Sequence, residues 1–307
     1  MKNILFEVQK KQGIVGREQE IELLSIALQA GRNILVEGPV GVGKTVLAQA
    51  VASVLGKKVI RIDGDSRFSE QKLTGWFDPA LAIKKGYSKK TFVLGPLAIA
   101  MHQGAILFIN ELNRMPEAVQ NVLLPAMDEG MLLIPQLGEI HAKEGFLVIA
   151  TQNPREFVAT SHLSEALLDR MEWVRLDYQS FEEELEIVKY VTKYSERERD
   201  VSATKYNAEA FLSWAVSLVR LTRSHPKIKR GASIRAAIAL IQILSKKSNP
   251  SEKDFLNAAS LALPSRIELL QADLEGGISQ AIESLILELI DELKKKETIL
   301  QSIPMTH

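Results

Sequence analysis

The sequence predicts an α/β domain built on a parallel sheet, followed by an all-helical region. Three observations carry this. Five short, nearly continuous apolar runs recur in the first two-thirds of the 307-residue chain, with helical patterns between them. Strands that are apolar throughout belong to a sheet covered by helices on both faces. A glycine-rich octet, GPVGVGKT, follows the first run directly. After Phe181 the strand signal vanishes and helical spacing takes over.

The elements follow in order. Residues 33–37 (NILVE) are the first strand, then the glycine-rich turn, then a helix through Leu55 that Gly56 stops. Residues 58–62, 105–109, 146–150 and 173–176 are the other four strands. Pro125 sits inside a helical pattern and predicts a kink. Residues 181–195, 207–222, 233–246 and 252–263 read as helices, and the charged SERERDVSAT between the first two reads as an exposed connection. A last helix is predicted over 278–296, after a Gly276-Gly277 break. It spaces Ile278, Ile282, Leu285, Leu289 and Leu293 three or four apart and pairs Asp291 with Lys295 and Glu292 with Lys296. That face packs either on its own region or on a partner.

Composition narrows the function. Apolar residues are 46% and charged residues 25%, as in an ordinary soluble protein. Lys plus Arg equals Asp plus Glu at 38 each, so bulk charge gives no support for binding nucleic acid or an anionic membrane. There is no cysteine, which excludes disulfides, thiolate catalysis and thiolate metal sites. No apolar stretch approaches the ~20 residues of a membrane helix, and the first residues lack a signal-peptide core. The expectation is a soluble, cytoplasmic protein. The five histidines, 102, 141, 162, 225 and 307, show no metal-ligand spacing.

The octet fits G-x-x-x-x-G-K-[ST] between a strand and a helix. A loop wrapped round phosphates must aim successive backbone N–H groups inward, and glycines allow that path. Gly38, Pro39, Val40, Gly41, Val42 and Gly43 would form it, with Val46 just beyond. The following helix adds the positive end of its dipole. Lys44 would set its charge between the terminal phosphates, and Thr45 would offer a hydroxyl to magnesium.

The third strand ends in ILFINELNR. An apolar strand ending in two acidic residues presents a magnesium partner and a base, but here the first is an amide. The strand is expected beside the phosphate-loop strand, with its carboxyl end at the same phosphates. Asn110 would then accept a hydrogen bond from magnesium-bound water, and Glu111 would polarise the attacking water. An amide brings no charge, and magnesium prefers carboxylates. The reading is a slow or metal-hungry ATPase, with a non-hydrolysing nucleotide-binding scaffold as the alternative.

Four stretches, GPVGVGKT, INELNRMPEAVQNVLLPAMDEG, ATQNP and LSEALLDRM, together resemble the MoxR-type AAA+ ATPases, from about Gly16 to about Ile267. The resemblance implies an AAA+ P-loop NTPase core over residues 1–185 and a helical lid over 186–307, with ATP and magnesium between them. That family shows Asp-Glu where this chain has Asn110-Glu111. By the same resemblance, Asn153 is a sensor that helps Glu111 orient water; a turn-starting Asn153-Pro154 is the simpler reading. Arg170 looks like the finger that reaches a neighbouring subunit's γ-phosphate, against a salt bridge to Glu165 or Asp169. Arg235 looks like a second sensor, against an ordinary helix-start arginine after a capping Ser233. Val15 and Gly16 resemble the segment beside the adenine.

Residues 73–97 look like an insertion in the second helix and 131–145 like a hairpin before the sensor. Trp76, Phe77, Tyr87 and Phe92 either meet a partner or pack within the insertion. Arg114 either bridges subunits or pairs locally. The resemblance further implies a homo-oligomeric ring, usually a hexamer, that remodels a protein client or helps a metal or cofactor reach it, with a von Willebrand factor A domain partner. A nucleic-acid motor and a non-hydrolysing switch remain as alternatives. For the first, Lys227, Lys229 and Arg230 form a small basic cluster, which reads rather as solvated or near the nucleotide.

Overall fold

The computed structural model describes residues 2–153, 163–194, 208–270 and 278–302. SERERDVSAT, Gly276-Gly277, Pro154, His162 and His307 fall outside them. The chain separates into two units, residues 1–178 and 179–307. Residue 185, the boundary expected from sequence, lies inside the first helix of the second unit.

The first unit opens with α1 (Lys2–Gln12) and α2 (Glu18–Gln29), then β1 (Ile34–Glu37), α3 (Lys44–Val54) and β2 (Val59–Asp63). Next come α4 (Glu70–Thr74), β3 (Gly75–Phe77), α5 (Pro79–Lys85), β4 (Phe92–Leu94) and α6 (Pro96–Gln103). There follow β5 (Ile106–Asn110), α7 (Glu117–Asn121), α8 (Leu123–Asp128), β6 (Met131–Ile134) and β7 (Gly138–His141). The unit closes with β8 (Leu147–Gln152), α9 (Glu165–Leu168) and β9 (Glu172–Arg175).

Five strands form one parallel sheet in the order β2-β5-β8-β1-β9. Both faces of the three central strands, β5, β8 and β1, are buried, which explains their unbroken apolar runs; the edge strands β2 and β9 are more open. Leu107, Ile109, Leu35, Val148 and Ala150 feed one core cluster; Ile106, Phe108, Ile34, Val36, Leu147 and Ile149 feed the other. The order corrects one expectation. β8 lies between β5 and β1, so the strand ending in Asn110 does not adjoin the phosphate-loop strand.

Two antiparallel hairpins, β3–β4 and β6–β7, stand apart from this sheet. In the first, Phe77 meets Tyr87 and Phe92 edge-on at centroid distances of 4.9 Å, while Trp76 and Tyr87 stay exposed. The helical run after β5 divides at Val122. Pro125 has no N–H to return to the carbonyl of Asn121, and the helix breaks there.

The second unit contains α10 (Phe181–Thr192), α11 (Ala208–Ser224), β10 (Ile228–Arg230), α12 (Ile234–Leu244), α13 (Glu252–Ala262), β11 (Glu268–Leu269) and α14 (Ile278–Ser302). Ser180 caps α10 reciprocally: its Oγ accepts from Glu183 N at 3.1 Å and its N donates to Glu183 Oε2 at 2.9 Å. The helix stops at Lys193, in left-handed conformation, ahead of the end expected at 195. Ile282, Leu285 and Leu289 of α14 are buried in this unit's own core, and Leu293 packs against it. The basic cluster is solvent-exposed and paired: Lys227 with Glu288 at 2.9 Å, Lys229 with Glu268 at 2.8 Å and Arg230 with Glu268 at 3.6 Å.

Glu184 ties this unit internally. Its buried carboxylate takes Arg220 Nη1 at 3.0 Å and Arg223 Nη1 at 2.8 Å. Removing one partner of a buried ion pair leaves charge without compensation and costs about 3–5 kcal/mol. Glu184→Ala is expected to lower unfolding stability by that amount in urea denaturation; a loss below about 1 kcal/mol would show the pair behaving as a surface bridge.

Candidate active site

Residues 38–43 turn the chain from β1 into α3, with Gly41 (φ 83°) and Gly43 (φ 92°) in the left-handed region that side chains resist. α3 begins at Lys44, so its unsatisfied N–H groups and positive dipole end lie at this turn. Lys44 is buried, and its Nζ donates to Gly38 O at 2.6 Å, Pro39 O at 2.8 Å and Asn153 Oδ1 at 2.9 Å. A phosphate oxygen, being charged, is a stronger acceptor than either carbonyl. Val46 is largely exposed.

Val15 and Gly16 lie between α1 and α2, where Gly16 O accepts from Gln9 Nε2 at 2.9 Å. It is their neighbour Arg17 that reaches the loop. Arg17 is buried with φ 65°, and its Nη2 donates to Val42 O at 3.3 Å and Asp177 O at 2.7 Å. Sequence reading did not single it out; a lone arginine in a loop carries no such signal.

Although β8 separates β5 from β1, Thr45 of α3 and Asn110 meet. Thr45 Oγ1 donates to Asn110 Oδ1 at 2.9 Å. Thr151 of β8 joins them: its Oγ1 donates to the same Asn110 oxygen at 3.0 Å and accepts from Glu111 N at 2.9 Å. Thr151 is fully buried and orders the strand ends.

Glu111 adopts φ 56°, a left-handed conformation that costs a non-glycine residue of order 1 kcal/mol or more. This bend turns the chain out of β5. Gly64 permits it: a Cβ there would stand 2.2 Å from Glu111 O. The Glu111 carboxylate accepts from Asn153 Nδ2 at 3.3 Å and from Arg114 Nη1 at 2.8 Å. Arg114 thus pairs locally, and this partner raises its pKa. Lys44, Asn153 and Glu111 form one connected path.

Asn110 Nδ2 donates to Asp63 Oδ1 at 2.9 Å. This contact fixes the amide's orientation, because a carboxylate only accepts. Asp63 titrates below its ordinary range, first through Arg61's hydrogen bond and then, against a burial penalty, through Asn110's.

The donor set fits magnesium on a triphosphate. That cation keeps several waters and takes phosphate oxygens, so it needs few protein ligands. Thr45 spends its hydrogen on Asn110, which leaves its oxygen lone pairs for a cation. Asn110 differs from expectation: its oxygen already accepts two hydroxyls, so no lone pair is left for metal-bound water in this arrangement. Among the described residues no group of three or more His, Cys, Asp or Glu could hold a metal alone.

Two predicted residues take no part in the hydrogen bonds above. Arg170 pairs with Asp128, Nε to Oδ2 at 2.5 Å, and with neither Glu165 nor Asp169. Arg235 is exposed in the first turn of α12 in the second unit. Ser233 holds the N-cap position, but its side chain makes no capping bond.

A family model described as the AAA domain (dynein-related subfamily) matches residues 33–171. The chain is 30% identical over 297 residues to Uncharacterized protein YeaC of Bacillus subtilis (strain 168), covering 88% of each. The Gas vesicle ATPase GvpN of Haloferax mediterranei is 33% identical over 178 residues, 53% of this chain and 51% of that protein. The chain belongs to the MoxR-type AAA+ ATPases. It spans about half the length of that gas vesicle ATPase and of GvpN1 of Halobacterium salinarum. The Thermotoga maritima RuvB Holliday junction branch migration motor aligns with a TM-score of 0.52 at 20% identity, over 80% of this chain and 70% of that one. That likeness is one of fold. Like its AAA+ relatives, the chain has the architecture of a nucleotide-binding protein, and none of its described helices is long and apolar enough to cross a membrane.

Proposed function

We propose that this MoxR-type protein hydrolyses ATP with magnesium in a ring of its own copies, a hexamer, and uses the cycle to remodel a protein client. The observation that carries the reading is the path Lys44–Asn153–Glu111, which links the phosphate loop to a carboxylate. Lys44 and the loop amides hold the triphosphate. Asn153 sets the carboxylate of Glu111, and Glu111 takes a proton from the attacking water. Thr45 holds the magnesium, which neutralises charge on the phosphates. Arg170 serves a neighbouring subunit's site, and Arg235 contacts the nucleotide in its own chain. A partner with a von Willebrand factor A domain delivers the client, for remodelling or for metal or cofactor insertion.

The test is phosphate release by the purified chain across magnesium concentrations, with particle mass measured beside it. Magnesium-dependent release by particles of about six copies is expected. Release at background at every magnesium level would favour a second reading, a nucleotide-dependent switch, for which the uncharged Asn110 is the supporting observation. A nucleic-acid motor has less support, since Lys227, Lys229 and Arg230 are already paired with Glu288 and Glu268.

A further inference from the structure

The geometry points to Asp63 as the carboxylate of the cation site, with Asn110 as an amide spacer between it and Thr45. This rests on the magnesium–ATP reading above and deepens it. β2 and β5 run in register from Val59↔Ile106 to Asp63↔Asn110, so the two side chains end their strands side by side. Gly64 N donates to Asn110 O at 2.7 Å and fixes that register one residue further.

The hydrogen-bond polarity runs one way. Thr45 Oγ1 donates to Asn110 Oδ1, and Asn110 Nδ2 donates to Asp63 Oδ1. A carboxylate accepting at the amide nitrogen draws the amide toward its charge-separated form and makes Oδ1 a stronger acceptor. Thr45 is held harder with its lone pairs turned to the cation. Arg61 shares Asp63 Oδ1 at 2.9 Å. Asp63 Oδ2 takes no hydrogen bond among the described residues, and the side chain is 61% exposed. It is open to a water of the metal's outer shell.

The same contact accounts for the amide at position 110. A carboxylate there would face Asp63 across 2.9 Å with no proton between them, so the pair holds one charge and one amide. The charge has moved one strand outward; the site has not lost it.

The test uses Mn²⁺ as the spin probe with a non-hydrolysable ATP analogue on the full chain, in wild type, Asp63→Asn, Asn110→Asp and the double swap. Nucleotide affinity in EDTA and melting temperature are measured beside it. Asp63→Asn should weaken Mn²⁺ by about tenfold or more, as for groups that orient metal ligands from outside, and leave nucleotide affinity in EDTA as in wild type. Asn110→Asp alone should lower the melting temperature without tightening Mn²⁺. The double swap should restore both. Wild-type Mn²⁺ affinity in Asp63→Asn, or tighter Mn²⁺ in Asn110→Asp than in the swap, would overturn the assignment. Failure of the reading beneath it looks different: wild type itself would bind no Mn²⁺ with nucleotide, and the assignment would fall with it.

Discussion

Glu111→Gln is expected to slow phosphate release by ~10²–10⁴-fold while ATP affinity stays within about twofold of wild type, the signature of a lost general base. The substitution keeps the side chain's size and its acceptor oxygen, so Asn153 Nδ2 still has a partner where it now has one at 3.3 Å. What disappears is the charge that takes the proton. The Arg114 ion pair goes too, but Arg114 is 55% exposed, and a pair so wet is worth about 0–1 kcal/mol. Melting temperature should therefore barely move. Affinity should hold because Lys44 is anchored by Gly38, Pro39 and Asn153, none of which the change removes. Phosphate-release assays and binding of a fluorescent ATP analogue decide it. Equal release by wild type and variant would mean that Glu111 is not the base.

The parts of this site written as local sequence were legible; the parts made by juxtaposition were not. GPVGVGKT declares its turn because only a few residue types follow such a backbone path. Glu111 could be found because it ends an apolar run. Strand order is different. No spacing in the sequence says that β8 intervenes between β5 and β1, and so Thr151 stayed hidden within ATQNP although it holds both Asn110 and the Glu111 backbone. Asp63 was missed for the same reason: only the β2–β5 register brings it to Asn110. The chain offers Arg170 two nearby carboxylates, Glu165 and Asp169. Its carboxylate comes instead from Asp128, at the end of α8. Ser233 shows the converse error, a good capping residue type in the capping position whose hydroxyl is not used.

Arg170 gives the other large effect. Arg170→Ala should reduce turnover by ~10³–10⁵-fold if its guanidinium completes a neighbour's site, the range found for such fingers in phosphoryl transfer. A local structural role predicts something else. The Asp128 bridge has side chains 31% and 39% exposed, which limits it to about 1 kcal/mol, and its loss would soften the fold without stopping chemistry. Nε serves Asp128 and Nη1 donates to Ala166 O at 2.5 Å, so two of the five N–H donors are engaged here. Mixing separates the two roles. A ring made only of Arg170→Ala subunits keeps Glu111 and lacks the finger; one made only of Glu111→Gln subunits has the reverse defect. Random equal mixing puts an intact Glu111 beside an intact Arg170 at roughly one interface in four, since a head-to-tail ring draws each from a different copy. Turnover of the mixture should then rise well above either parent. If the two groups act within one chain, no mixed interface is whole, and the mixture stays as slow as the average of its parts.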